Sequence, residues 1–307
     1  MISEIAFSAI RISTPLIFAA LGGLLTYQAG ILNIALDGFM IVGAFAAIAV
    51  AYVSASLTLG IFAGVISATV LAALLALFNL RFRAHIFIAG IAVTFMAYGL
   101  TALLLQGLLG QEGVFSSDRI PTFPTIDIPL VKDIPAIGPL ISGHTILVYL
   151  SYLSVPVVAW FLYRTPWGLR VRDVGEAEAA AAAAAAGVKV DRIKFQTMAL
   201  SGAFCGLAGA YLSLGYVSLF AKQMTNERGL IALAAIFFAK GNPYWTAAVA
   251  LLFGTATALS VRLPQITGAA PQLLQLIPYV VTVLALIVVG IRTTRLRSRH
   301  GAWRFEI

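Results

Sequence analysis

The chain has 307 residues, of which 61% are hydrophobic and only 10% charged, with a mean hydropathy of +0.97. Soluble domains average about 45–50% apolar and about 25% charged residues, so this composition excludes a soluble enzyme, a disordered chain and a disulfide scaffold and describes an integral membrane protein. The net charge of +8 reports cytoplasmic loops before any nucleic-acid partner, and a single cysteine, Cys205, allows no intrachain disulfide.

A spanning helix needs about 20 apolar residues. The N-terminus carries Glu4 rather than a basic cluster and shows no small-residue cleavage site, so it reads as a first span rather than a signal peptide. Residues 12–36 carry no charge, and 38–80 carry none over 43 residues, enough for two spans with a weak break from Ser54 to Thr58. The runs 84–111 and 134–163 are interrupted only by His85 and His144, and 195–221, 241–261 and 263–291 are uncharged. The 11 residues 229–239 are too few to span, and Lys240 with the Asn242-Pro243 turn closes them. These runs predict about eight full spans plus one short element. None alternates with period two, as barrel strands would. The expected fold class is all-α: a polytopic transmembrane helix bundle of about 8–10 spans, forming one domain over residues 1–307.

Lys and Arg set the orientation. Arg81 and Arg83, the six bases of loop 164–194 and the basic tail 292–307 are expected on the cytoplasmic side. Loop 110–143, with Glu112, Asp118, Asp127 and Asp133, reads as extracytoplasmic. Nine crossings place the N-terminus outside and the C-terminus in the cytoplasm, and a first segment that dips and returns would put the N-terminus on the other side. The tail arginines have two readings, binding of anionic lipid headgroups or topology alone.

Catalytic signatures are missing. No G-x-x-x-x-G-K-[ST] loop, no G-x-S-x-G elbow and no H-E-x-x-H spacing occurs, and His85, His144 and His300 are far apart in the chain. The expected chain is no enzyme and holds neither metal nor cofactor. Asp37 is the acid flanked by long apolar runs on both sides. It has two readings: a cap for a helix starting at Gly38 or Phe39, or a substrate-contacting or proton-carrying group. Glu227-Arg228-Gly229 echoes Asp37-Gly38 before a second apolar run, which suggests either an internal repeat or two unrelated helix starts. The spans hold scattered polar groups and few charges, which suits a neutral polar solute. Candidate pathway residues are Asn33, Asp37, Tyr98, Gln106 and Glu227 for hydrogen bonding and Phe39 and Phe95 for stacking, the aromatics being equally readable as packing or interfacial anchors.

Residues 176–186 are alanine-rich and predict a short helix, with Glu176 and Glu178 in its first turn and Gly187 as its stop. Such a helix has almost no apolar side chains of its own to bury. It is a solvated linker or a docking helix. Farther on, Gly202, Gly206 and Gly209 suit close helix packing.

Four segments carry a resemblance. Arg164, Thr165, Gly168, Arg170, Arg172, Gly175, Glu176, Ala186, Gly187 and Val188 match R-T-x-x-G-x-R-x-R-A-x-G-E, an alanine-rich helix and A-G-[IV], with Asp173 where alanine is usual. Residues 201–210 are similar to S-G-A-L-A-G-L-A-G-A. Residues 229–243 are similar to G-F-I-A-L-A-A-V-I-F-G-x-x-x-P, with Ala239 in place of glycine. Residues 29–38 are similar to S-G-x-x-N-I-G-x-E-G, with Ala35 and Asp37 in place of glycine and glutamate. Over residues 10–290 the chain thus resembles permease subunits of binding-protein-dependent ABC importers, in the branch for nucleosides and simple sugars that is related to ribose and branched-chain amino-acid permeases.

The resemblance implies an inner-membrane protein of a prokaryote that imports a neutral solute, most simply a nucleoside or simple sugar. ATP and magnesium would be bound by a separate ABC ATPase subunit. Further implied partners are a second, different permease chain, an extracytoplasmic binding protein or lipoprotein, and membrane lipid, with no nucleic acid. Arg170, Arg172, Gly175, Glu176, Ala180, Ala183 and Gly187 would form the coupling surface for the ATPase. The alternatives are a branched-chain amino-acid ABC permease and a proton-coupled or facilitative carrier using Asp37.

Overall fold

The computed structural model describes residues 2–127 and 142–267, together with 276 and 280. Helices α1 (Ile2–Gln28), α2 (Leu36–Ser54), α3 (Leu57–Arg81) and α4 (Ile86–Leu109) lead into the loop segment that begins at Gly110. After residue 141 come α5 (Ile146–Arg164), α6 (Pro166–Gly175), α7 (Ala177–Ala185), α8 (Val190–Ala210), α9 (Arg228–Phe238) and α10 (Pro243–Thr267). A π-helical turn, Tyr211–Tyr216, extends α8. Among the described residues seven helices are long and apolar enough to cross a membrane, and α9 is too short. The bundle class is as the hydropathy pattern requires. Two-residue strands are one ingredient the sequence does not announce. Val114–Phe115 (β1) pairs antiparallel with Phe220–Ala221 (β4), and Thr125–Ile126 (β2) with His144–Thr145 (β3).

Two boundaries differ from the sequence reading. A span was expected to end at Val261, before Arg262. Instead α10 runs through Arg262 and Pro264 to Thr267. The charge does not stop the helix because Arg262 turns toward α1 and donates to the Ser8 hydroxyl at 3.1 Å. Loop 164–194 was expected to hold one helix and holds two. Thr165 caps α6, its hydroxyl accepting from the Gly168 N–H at 3.1 Å, and Pro166 occupies the first turn. The rest of the proposed final span, 263–291, and the tail 292–307 lie outside the described residues apart from the end of α10 and residues 276 and 280, as does 128–141 of the outer loop.

The core sits where α1, α2, α3 and α8 pack on one another, with α10 against α1. Exposed apolar residues such as Phe62 and Ile66 on α3, Phe95 and Leu103 on α4 and Trp160 on α5 form the outer surface, the arrangement expected where the solvent is lipid. Close approach depends on small residues. A Cβ on Gly202 would lie 2.5 Å from the Ala72 Cβ, and one on Gly206 would lie 2.7 Å from the Gly64 carbonyl oxygen and the Val65 Cα. One on Gly209 would run into the backbone of Met40 and Ala44. All three glycines therefore sit at backbone contacts of α8 with α2 or α3.

Gly206→Ala should therefore destabilise the purified chain by about 1–3 kcal/mol, the usual penalty for overpacking. Gly99→Ala, at an α4 glycine with open space around it, should be neutral or stabilising by about 0.5–1 kcal/mol. Thermal unfolding in detergent separates the two, and equal effects would contradict this packing.

Candidate functional site

Helix α1 ends in a tight reversal. Gly30 takes φ +73°, its N–H bonds to the Tyr27 carbonyl at 3.0 Å, and the Ile31 N–H reaches the Thr26 carbonyl at 2.8 Å. The chain then runs non-helically to α2. Asn33 holds this stretch from both ends of its amide: Oδ1 accepts from the Ala35 N–H at 3.0 Å, and Nδ2 donates to the Ser201 hydroxyl on α8 at 3.2 Å.

Asp37 follows in the first turn of α2 and is 2% exposed. One of its two sequence readings makes it the cap of a helix starting at Gly38 or Phe39. The helix starts earlier, at Leu36, and Asp37 caps a different one. Its Oδ1 accepts from the Gly229 N–H at 2.9 Å, in the first turn of α9. Its Oδ2 accepts from the Thr225 hydroxyl at 2.8 Å and from the Tyr98 hydroxyl on α4. Glu227, the residue at the N-cap of α9, is left-handed (φ +58°) and makes no side-chain cap bond, so Asp37 supplies that cap from outside the helix. The contact requires glycine: a Cβ on Gly229 would strike the Asp37 backbone, and one on Gly38 would lie 2.8 Å from the Thr94 Cα. The starts of α2 and α9 thus meet around one carboxylate, and each helix dipole favours negative charge there.

The other pathway candidates scatter. Phe39 is fully buried in the core. Phe95 is 69% exposed on the outer side of α4. Gln106 is exposed near the end of α4 and donates to Glu112 at 2.8 Å, and Glu227 is exposed. Only Asp37 and Tyr98 among them are hydrogen-bonded to each other. Thr225 and Ser201 were not singled out for this role, because nothing in their local sequence marks a partner so far away in the chain.

Next to the start of the unwound stretch before α2, α6 and α7 form the proposed coupling surface. The Trp167 indole donates to Gln196 of α8 at 2.9 Å, and the Arg172 guanidinium lies 5.1 Å from the Tyr163 ring centroid. Arg170 and Glu176 are exposed, and Ala180 and Ala183 are half-buried. Gly187, at φ +84°, closes α7: its N–H bonds to the Ala184 carbonyl at 3.0 Å and that of Val188 to Ala183 at 2.9 Å. Gly175 touches the α1–α2 turn directly, and a Cβ there would strike the Gln28 carbonyl. Gln28 also donates to the Gly241 carbonyl at 2.6 Å, beyond the end of α9. A cleft of about 680 Å³ lies here, lined by Tyr27, Ile31, Arg172, Asp173, Glu176 and Phe237 among others. Among the described residues no three His, Cys, Asp or Glu side chains gather closely enough to hold a metal ion.

Residues 5–286 match a family described as the permease component of branched-chain amino acid transport systems. The chain is 30% identical over 297 residues to a guanosine ABC transporter permease, NupQ, of Bacillus subtilis, covering 93% of this chain and 92% of that protein. It is 32% identical over 284 residues to a nucleoside ABC transporter permease, NupC, of Lactococcus lactis, covering 89% and 88%. It is also 32% identical over 309 residues to a putative glucose ABC transporter permease, TsgC13, of Haloferax volcanii, covering 94% and 92%. No solved structure matches.

Asp37→Ala should destabilise the chain by about 3 kcal/mol or more, since each buried donor left unsatisfied costs about 1–3 kcal/mol. Tyr98→Phe and Thr225→Val should each cost about 0.6–1.7 kcal/mol, the range for hydrogen bonds between membrane helices. On the Asp37→Ala background both smaller effects should vanish, as a double-mutant cycle by thermal unfolding would register.

Proposed function

The chain belongs to the family of transport-system permease components, and from that premise we propose that it is the membrane subunit of an ATP-driven importer of nucleosides in a prokaryotic cytoplasmic membrane. Two similar relatives named for guanosine or nucleoside transport, aligned over about nine-tenths of this chain, carry the choice of solute. A simple sugar is the second reading, favoured by the relative named for glucose. The paucity of charge along the spans suits either solute.

The energy source in this reading is a separate ABC ATPase bound at α6 and α7. Helix α7 presents a mostly exposed alanine surface with little apolar area to hold it against the bundle, so a partner groove is its natural support. Gly175 transmits movement to the α1–α2 turn. From there one route runs through Asn33 to Asp37 and the start of α9, and a second through Gln28 and Gly241 to the end of α9. Both ends of the short helix would shift together, and the solute pathway with them. A second permease chain completes the pathway, and a binding protein or lipoprotein delivers solute at the outer face. The coupling helices and the C-terminus lie in the cytoplasm by the distribution of Lys and Arg. A proton-coupled carrier working through Asp37 is disfavoured because that carboxylate is already engaged by three donors.

Cells expressing the chain together with an ABC ATPase, a second permease and a binding protein should take up radiolabelled guanosine, competed by other nucleosides and not by leucine. Competition by glucose alone would transfer the assignment to sugars. Gly175→Val and Gly187→Val should lower uptake roughly 5- to 150-fold, the span of ordinary coupling energies, while the permease still reaches the membrane. Uptake at the normal rate in both, or uptake that persists without any ATPase, would defeat the importer reading.

A further inference from the structure

At the end of the bundle away from α6 and α7, Arg11 and Arg228 lie against the ring of Tyr216, and Arg262 shares a cavity with Arg11 and Tyr216. Arg11 lies on α1 and Arg262 on α10, each within a helix long and apolar enough to span a membrane. The Arg11 guanidinium carbon is 5.3 Å from the Tyr216 ring centroid and 5.9 Å from that of Phe7, and its Nη2 donates to the Tyr216 carbonyl at 3.2 Å. The Arg228 guanidinium lies 5.8 Å from the same Tyr216 ring. Arg262 donates to Ser8 at 3.1 Å. Arg11 and Arg262 are half-buried and line a cavity of about 440 Å³ with Ser8, Ile12, Tyr216 and Val261.

Charged side chains inside membrane helices are expensive, and a long basic side chain normally extends its head to water. These two instead bond inward, to a carbonyl and a hydroxyl, and neither forms an ion pair among the described residues. Neutral acceptors and ring faces offset part of a cation's charge and leave guanidinium donors open. The chemical group that best matches such a fork is a phosphate or carboxylate bound through paired N–H donors. The remaining wall is aliphatic: Ile12, Val217, Ala258 and Val261. Val261 is 51% exposed, so the cavity borders the outer surface of the bundle, where the bilayer lies. Its volume falls in the range of about 300–1,000 Å³ usual for small-molecule sites.

We propose that the cavity between α1 and α10 is a phosphate-binding site that takes the phosphodiester of an anionic phospholipid, with Arg11 and Arg262 on the phosphate and the aliphatic wall against the glycerol and upper acyl chain. The site is separate from the Asp37 contact and does not rest on the nucleoside reading.

The test is thermal unfolding of the full chain in detergent micelles titrated with phosphatidylglycerol, with phosphatidylcholine and inorganic phosphate as comparison probes. Phosphatidylglycerol should raise Tm saturably and more than phosphatidylcholine. Arg11→Gln and Arg262→Gln should each weaken its apparent affinity about fivefold, from the usual contribution of one basic residue to anionic-lipid binding. Val261→Trp leaves both arginines in place and fills the mouth of the cavity from an exposed position, so it should abolish the saturable shift even where an arginine variant fails to fold. A shift unchanged by Val261→Trp, or none in the parent chain, overturns the proposal. A shift reproduced and competed by inorganic phosphate alone overturns the lipid as its source and assigns the site to a free phosphorylated solute.

Discussion

A short helix that starts inside a membrane bundle leaves its first N–H groups with nothing to bond to, in a medium that supplies no water. Here that problem falls on α9, and the Asp37 carboxylate answers it. One oxygen takes the Gly229 N–H, the other takes the Thr225 and Tyr98 hydroxyls. The charge is placed between the positive ends of two helices, which is what makes burying it tolerable. The constraint propagates outward. Asp37 can reach Gly229 only if the backbones touch, so position 229 must lack a Cβ. Asp37 is delivered to that point only because the chain leaves α1 at Gly30 and runs unwound past Asn33.

The same unwound stretch joins the α6 contact to the Asp37 contact. Its first residues lie under Gly175 at the end of α6, and its last is the start of α2. Backbone-to-backbone contact has little slack, because no side chain rotates to absorb a displacement. The Gln28–Gly241 bond gives the far end of α9 the same neighbour. Helix α9 is thus held at both ends by groups that follow the α1–α2 turn, in addition to the packing of Ala232, Ala235 and Ile236 in the core.

The two charged regions of the bundle differ in how completely they are compensated. Around Asp37, three donors from α4, α9 and the segment before α9 leave the acid enclosed. Around Tyr216, the arginines of α1 and α9 share its ring, and those of α1 and α10 bond neutral acceptors and border a cavity. The first arrangement is suited to holding helices together. The second is suited to receiving an anion from outside the chain.

Much of this was legible in the residues alone, wherever the relevant physics is local. A charge-free run of helix-spanning length has one low-energy form in lipid. A stretch of alanines ending in glycine makes a helix with a left-handed stop, and α7 with Gly187 is that element. The short run 229–239, too brief to span, is α9. What the residues did not disclose is long-range. Asp37 beside Gly38 reads as the cap of its own helix or as a solute- or proton-binding group, and only tertiary packing brings it to Gly229, 192 positions away. Arg262 reads as the edge of a span, and only the position of Ser8 on α1 lets the helix continue through it. Arg11, at the edge of a charge-free run, gave no sign of sharing a cavity with it. Periodicity and composition report each residue's preference for its own segment. The donor that a buried charge finds on another segment is settled only when the helices pack.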